Sequence, residues 1–225
     1  MARMIAFVLL LTSVFVGLTA GDAVAGAPTD QVRGSIDRVL QILSDPELKK
    51  EGRTIERRTA IRTVASEIFD FTEISQRSLA RHWAARSPEE RQEFIRLFGD
   101  LLEYSYITKI EMYSGEKILY AGEVPDGDQA LVKTKIVTRT GVEIPVDYRM
   151  FVKANRWRAY DVNIEGVSLV ANYRTQFNTV IQRGGYPDLV AKLKAKQDER
   201  PGSREAGRPA PPTAPSALPR PVQSP

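Results

Sequence analysis

Few residues in this chain have the types or spacing for chemistry. His82 is the only imidazole among 225 residues, and there is no cysteine. Disulfides, thiolate zinc sites, thiol catalysis and a lipidated N-terminal cysteine are thereby excluded. Histidine-based metal binding is left without a second ligand. Gly166-Val167-Ser168-Leu169-Val170 falls one residue short of the G-x-S-x-G nucleophile elbow, because Val170 stands where the last glycine belongs. His82 would be the only base for that serine, so Ser168 reads better as the N-cap of a following helix. Asp161 and Glu165 lie four apart at a strand end with nothing to mark them as an acid–base pair; backbone donors or a nearby arginine are their expected partners. No catalytic residue, metal site or cofactor is assigned. Arg149, Lys153, Arg156 and Arg158 cluster around one hairpin, as a head-group or docking patch or as a solvated strand edge.

The rest of the composition describes a scaffold. At 42% hydrophobic and 27% charged residues the chain resembles an ordinary soluble globular protein. Lys and Arg number 32 against 28 acids, a net +4 spread in alternation with the acids. No basic stripe forms, so no nucleic-acid partner is expected. Residues 1–25 have the layout of an export signal: an arginine, an apolar run from Ile5 to Leu18, then Ala23-Val24-Ala25. A periplasmic address follows if the source is a diderm bacterium. Residues 201–225 carry eight prolines and no apolar period, the composition of a disordered tail. The span 26–200 is left for one folded domain, expected to be a monomer.

Periodicity divides that span. Val32, Ile36, Val39, Leu40 and Leu43 recur at helical spacing, as do Ile61, Val64 and Ile68. A short helix is expected from near Thr72 to Ala85. Ser87, Pro88 and Glu90 form a capping-box signature that opens a helix running to about Tyr113, with Phe94, Leu97, Phe98, Leu101 and Leu102 on one face. After Gly115 the period becomes two, predicting strands at 117–123, 128–139, 142–154 and 157–164. Pro145 marks an edge or a bulge. Two closing helices, Ser168–Arg183 and Pro187–Gln197, flank Gly184-Gly185. Helices, then four antiparallel strands, then helices predict an α+β fold with helices on one face of a curved sheet.

Trp157-x-x-Tyr160-Asp161, the Glu165-Gly166-Val167-Ser168 turn, a helix with Tyr173 and Phe177, and Gly184-Gly185 ahead of the last helix occur here in order. With the Ser87-Pro88-x-x-Arg91 opening upstream, residues 30–197 resemble the MlaC (toluene-tolerance) family of periplasmic phospholipid-binding proteins. The resemblance implies a cone-like α+β fold related to the nuclear-transport-factor shape. It also implies a phospholipid cargo shuttled between outer and inner membranes. The implied docking partners are an outer-membrane lipoprotein complex and an inner-membrane ABC transporter carrying a substrate-binding hexamer. A branch of the family allied to hopanoid biosynthesis stays open, as does a pocket enzyme of the cone fold.

A carrier must hide hydrocarbon. Each buried methylene contributes roughly 0.8 kcal/mol, so one sixteen-carbon chain contributes on the order of 12 kcal/mol. A large empty cavity is correspondingly destabilising, so the pocket should be either filled or collapsed. The lining candidates are Val146, Tyr148, Met150, Tyr160 and Val162 on the strands, faced by Leu97, Phe98, Leu101 and Leu102, with Tyr104 and Tyr106 near a mouth.

Overall fold

The alternating stretch at the centre of the sequence becomes the spine of the sheet. The computed structural model describes residues 27–199, so the expected export signal lies outside the described residues, as does the tail. β3 (Glu143–Lys153) pairs antiparallel with β2 (Gln129–Val137) and with β4 (Arg156–Ile164). β1 (Lys117–Asp126) and a two-residue β5 (Val167–Ser168) complete the order β1-β2-β3-β4-β5. The sheet therefore has five strands where four were expected. β5 is too short for any periodicity; it exists because Glu165 and Gly166, both at positive φ, fold Val167 back onto Ile164.

The prolines show how the ladder tolerates a missing donor. β3 is a central strand, not the edge that Pro145 suggested. Its pairing with β4 begins at Val146↔Ile164, however, and the Pro145 carbonyl accepts from Glu165 N–H at 3.0 Å. Carbonyl and N–H of one strand residue point the same way, so the absent donor faces a place where the β4 ladder has already ended. Pro125, past the end expected for the first strand, lies within β1, an edge strand, opposite Ala130.

Register assembles the inner face in rows. Ile118, Ile136 and Ile144 form the first. Tyr120, Thr134, Val146 and Ile164 form the second, then Val132, Tyr148 and Val162, then Ala130, Met150 and Ala159, and last Val152 with Trp157. Two helices, α1 (Pro28–Ser44) and α2 (Thr54–Ile68), cover the later rows: Val32 and Ile68 are buried with Ala130, Val132, Met150, Trp157 and Ala159.

A second core is almost wholly helical. It joins α3 (Phe71–Leu79), α4 (Pro88–Glu111) and α5 (Leu169–Asp198) through Phe94, Leu97, Phe98, Tyr173 and Phe177. Asp70 starts α3 by accepting from Glu73 N–H, and a three-residue tight helical turn, Ala80–His82, ends it. The expected capping box opens α4: Ser87 Oγ accepts from Glu90 N–H while the Glu90 carboxylate accepts from Ser87 N–H. α5 breaks where Gly184-Gly185 predicted, at Gly185 with φ 77° and ψ 175°, just before Pro187. Gly184 is required for a different reason: a Cβ there would stand 2.6 Å from the Asp188 carboxylate.

Candidate functional site

The two groups of lining candidates do not meet as expected. Leu97 and Phe98 are wholly buried, and the Phe98 ring stands 4.9 Å from Phe177 and 5.0 Å from Tyr173. They pack between α4 and α5, with Leu102 buried beside them and Leu101 and Tyr106 partly buried against the same core. Tyr104 is exposed. On the strands, Met150 is buried under α1 and α2 with Tyr148 against it. Tyr160 departs from the expected face. It occupies a bulge, because Arg149 pairs with Asp161 and Met150 with Ala159, leaving Tyr160 without an opposite residue. Its ring meets Phe151 at 5.8 Å and lies under the Arg77 guanidinium at 4.1 Å, while its hydroxyl donates to Gln129 Oε1.

The inner face of the sheet carries a strip, the seam, that belongs to neither core. Ile118, Ile136, Ile144, Val162 and Ile164 all point to the inner face, yet they are only half-buried, and buried Val146 is their neighbour in the ladder. The end of α4 is joined to this end of the sheet by residues 112–116 alone, and Ile110 and Met112 there are exposed. Helix α2 is tied to the same end of α4 by Arg57 and Arg58, which donate to Glu111 at 2.8 and 2.7 Å. The hydrogen bond from Arg58 holds the Glu111 carboxyl below its usual value, against a smaller opposing effect of burial.

The phenols near this seam are inert. Burial pushes Tyr148 up to about 12, with Tyr120 adding to the effect. Burial likewise pushes Tyr106 up to about 12, with help from Tyr173. Both stay neutral at physiological pH and offer an apolar body with one polar tip. The Tyr120 hydroxyl is buried without a partner.

Of the clefts on the described surface, two are lined by residues other than the expected hydrocarbon-binding ones. One, of about 420 Å³, lies among Phe69, Asp70, Phe71, Lys153, Arg156 and Arg158. Here the basic patch divides. Arg158 donates to the Ser66 and Phe69 carbonyls at 2.9 and 3.0 Å, capping the end of α2, and Lys153 bonds Asp70. Burial pushes the Asp70 carboxyl up, but the bonds from Lys153 and from Glu73 N–H outweigh it and leave the carboxyl below its usual value. Arg149 and Arg156 stay exposed. Lys153 and Arg156 sit at the β3–β4 turn, Lys153 seven residues along β3 from Val146 and so roughly 23 Å away, whereas Arg149 lies three residues from Val146 on the outer face. Sequence reasoning missed Asp70, although Asp70-x-x-Glu73 before an apolar turn is itself a capping signal. The second cleft, of about 320 Å³, surrounds Arg81, His82, Arg174 and Asn178.

The serine of the near-miss elbow is committed elsewhere. Ser168 Oγ accepts from Ala171 N–H, as an N-cap does, and its hydroxyl donates to Asp161. His82 meets Asn178, ten residues farther along α5 and so about 15 Å from Ser168.

Known proteins match this geometry over most of its length. The intermembrane phospholipid transport system binding protein MlaC of Haemophilus influenzae is 25% identical over 142 residues, 61% of this chain. The chain spans 66% of that relative, just under two thirds of its length. The toluene tolerance protein ttg2D of Pseudomonas putida is 24% identical over 204 residues, 86% of this chain and 94% of that one. A phospholipid-binding protein of Ralstonia solanacearum, solved in complex with a phospholipid, superposes with a TM-score of 0.70 at 26% identity, covering 77% of this chain and 98% of that chain. The MlaC family profile matches residues 33–195, which takes in the whole sheet and both cores save Val32, and the chain belongs to the MlaC protein family.

Proposed function

We propose that this chain is a phospholipid carrier without catalytic activity, and that the seam is where acyl chains enter. The observation that carries the reading is the fold shared with a protein solved around a phospholipid, over 98% of that protein's length. The half-buried row Ile118–Ile136–Ile144, with Val162 and Ile164, supports the location. Because this strip belongs to neither core, hydrocarbon can cover it without either core losing its own packing. The expected pocket then corresponds to the collapsed one of its two states, and hydrocarbon replaces contacts that the strip lacks. A sixteen-carbon chain gains on the order of 12 kcal/mol from such burial.

Residues 1–25 are proposed as an export signal to the periplasm, 26–200 as the lipid-binding domain and 201–225 as an appended tail. On this reading the sheet and helices form a cone of the nuclear-transport-factor kind. The carrier exchanges lipid with an outer-membrane lipoprotein complex and an inner-membrane ABC transporter. Arg156, remote from the seam, and Arg149, on the outer face of the sheet, fit docking better than head-group binding. Transfer of a fluorescent phospholipid from donor to acceptor vesicles tests the function. Wild-type protein should accelerate transfer, Ile164→Glu should abolish it and His82→Ala should leave it unchanged. Chemical alteration of the transferred lipid would favour an enzyme of the same fold, and no acceleration by wild type would refute the carrier.

A further inference from the structure

The cleft beside His82 has a chemistry of its own. Arg81 donates to Asn178 Oδ1 at 2.6 Å, and His82 Nε2 lies 3.1 Å from the same oxygen. Arg81 Nε also lies 3.4 Å from His82 Nε2, so guanidinium, imidazole and carboxamide form one cluster. Arg174, one helical turn before Asn178 on the same face of α5, donates through Nε to the Arg77 carbonyl at 3.0 Å and keeps its two terminal amino groups free of that bond. Arg77 itself pairs with Glu73, but neither Arg81 nor Arg174 has an ion pair among the described residues. No carboxylate lines the cleft; Leu79, Ala80 and Thr175 complete it.

Ala80 adds an independent sign of a specified geometry. It adopts φ 49° and ψ −123°, a conformation strained for a residue with a Cβ, and that turn aims Arg81 and His82 across at α5. Strain of this kind persists where the surroundings over-determine it. Two guanidinium groups, one carboxamide and one imidazole thus line, from two elements, a space at the lower end of small-ligand sites.

We propose that this cleft is an oxyanion site that takes a phosphate group. A tetrahedral oxyanion has acceptors enough for both guanidinium forks and for the Asn178 amide nitrogen, and arginine is suited to phosphate because it can bond it through two N–H groups. The ligand is inorganic phosphate or the phosphodiester of a lipid head group presented at a membrane surface. The site lies apart from the seam and does not depend on the carrier reading.

As the chain's only histidine, His82 gives a single set of imidazole signals for nuclear magnetic resonance. The full exported protein is titrated with inorganic phosphate, with glycerophosphoethanolamine as a soluble head group, and with acetate at matched ionic strength. A saturable shift of the His82 ring signals is expected with phosphate, weakened about tenfold in Arg174→Ala and lost in Arg81→Ala/Arg174→Ala. The same response to glycerophosphoethanolamine identifies a head-group phosphodiester as a source; a response to phosphate alone identifies the free ion. A shift that fails to saturate, an equal shift with acetate, or an unchanged response in the folded double variant overturns the proposal. Both variants replace exposed side chains, and circular dichroism verifies their folding.

Discussion

Asp161 and Ser168 lock the sheet to the helix that follows it. The Ser168 hydroxyl donates to Asp161 Oδ2 at 2.6 Å, and Asp161 Oδ1 accepts from Val170 N–H at 3.0 Å. One buried carboxylate thus closes the β4–β5 turn and satisfies an orphan donor in the first turn of α5. The tyrosine-aspartate and glycine-valine-serine motifs that mark the family resemblance are therefore two halves of one structural joint.

Replacing Asp161 leaves the Val170 N–H buried without its partner. Asp161→Ala should destabilise the protein by about 2–4 kcal/mol, and Asp161→Asn, which keeps one acceptor, by about half as much. Urea unfolding followed by far-ultraviolet circular dichroism measures both. Equal stability of wild type and Asp161→Ala would mean that the joint does not hold the fold together.

The Glu111 clamp makes stability depend on pH. Its folded carboxyl titrates below the unfolded value near 4.5 because Arg58 and Arg57 bond its charged form. A depressed acid contributes stability that is present above the unfolded value and lost as pH falls through the folded one. Asp70, bonded by Lys153, acts with the same sign. Unfolding midpoints should therefore drop as pH is lowered from 5 to about 3. Glu111→Gln should cost about 1–2 kcal/mol at neutral pH, a modest value because the Arg58 side chain is one-third exposed, and should flatten the acid slope. An unchanged slope in that variant would remove Glu111 from the account.

Core and seam should respond to substitution in opposite ways. Phe98→Ala opens a void among Phe94, Tyr173 and Phe177 and should cost about 3–5 kcal/mol whether or not lipid is present. Ile164→Glu, at a half-buried position outside both cores, should cost under about 1 kcal/mol yet strip bound lipid. Unfolding curves paired with lipid extraction distinguish them. If Phe98→Ala emptied a still-stable protein of lipid, the helical core would be the pocket wall instead.

The sequence was readable wherever a local rule decides. Ser87, Pro88 and Glu90 specify a helix start through bonds within four residues, and the alternation along β3 assigned its two faces correctly. The stripe on α4 was harder: Leu97 and Phe98 had to be buried, but an amphipathic stripe does not name its partner, and α5 covers them instead of the sheet. Tyr160 eluded the period-two rule because a single bulge residue reverses every face assignment at that point. Arg158 looked like part of a surface patch because nothing in its neighbourhood along the chain records that the end of α2, some ninety residues earlier, needs its donors. The expected pocket shares this fate, since the seam is the strip that both cores leave out.

Hydrocarbon entering that seam should be detectable as bound lipid. The exported protein, purified without detergent, should give a native mass exceeding that of the chain by one diacyl phospholipid, which denaturing mass spectrometry then releases and identifies. A triterpenoid in its place would move the cargo to the hopanoid branch while keeping the carrier. A clean mass for the bare chain, from protein that is fully folded and fails to take up lipid from vesicles, would contradict the central claim.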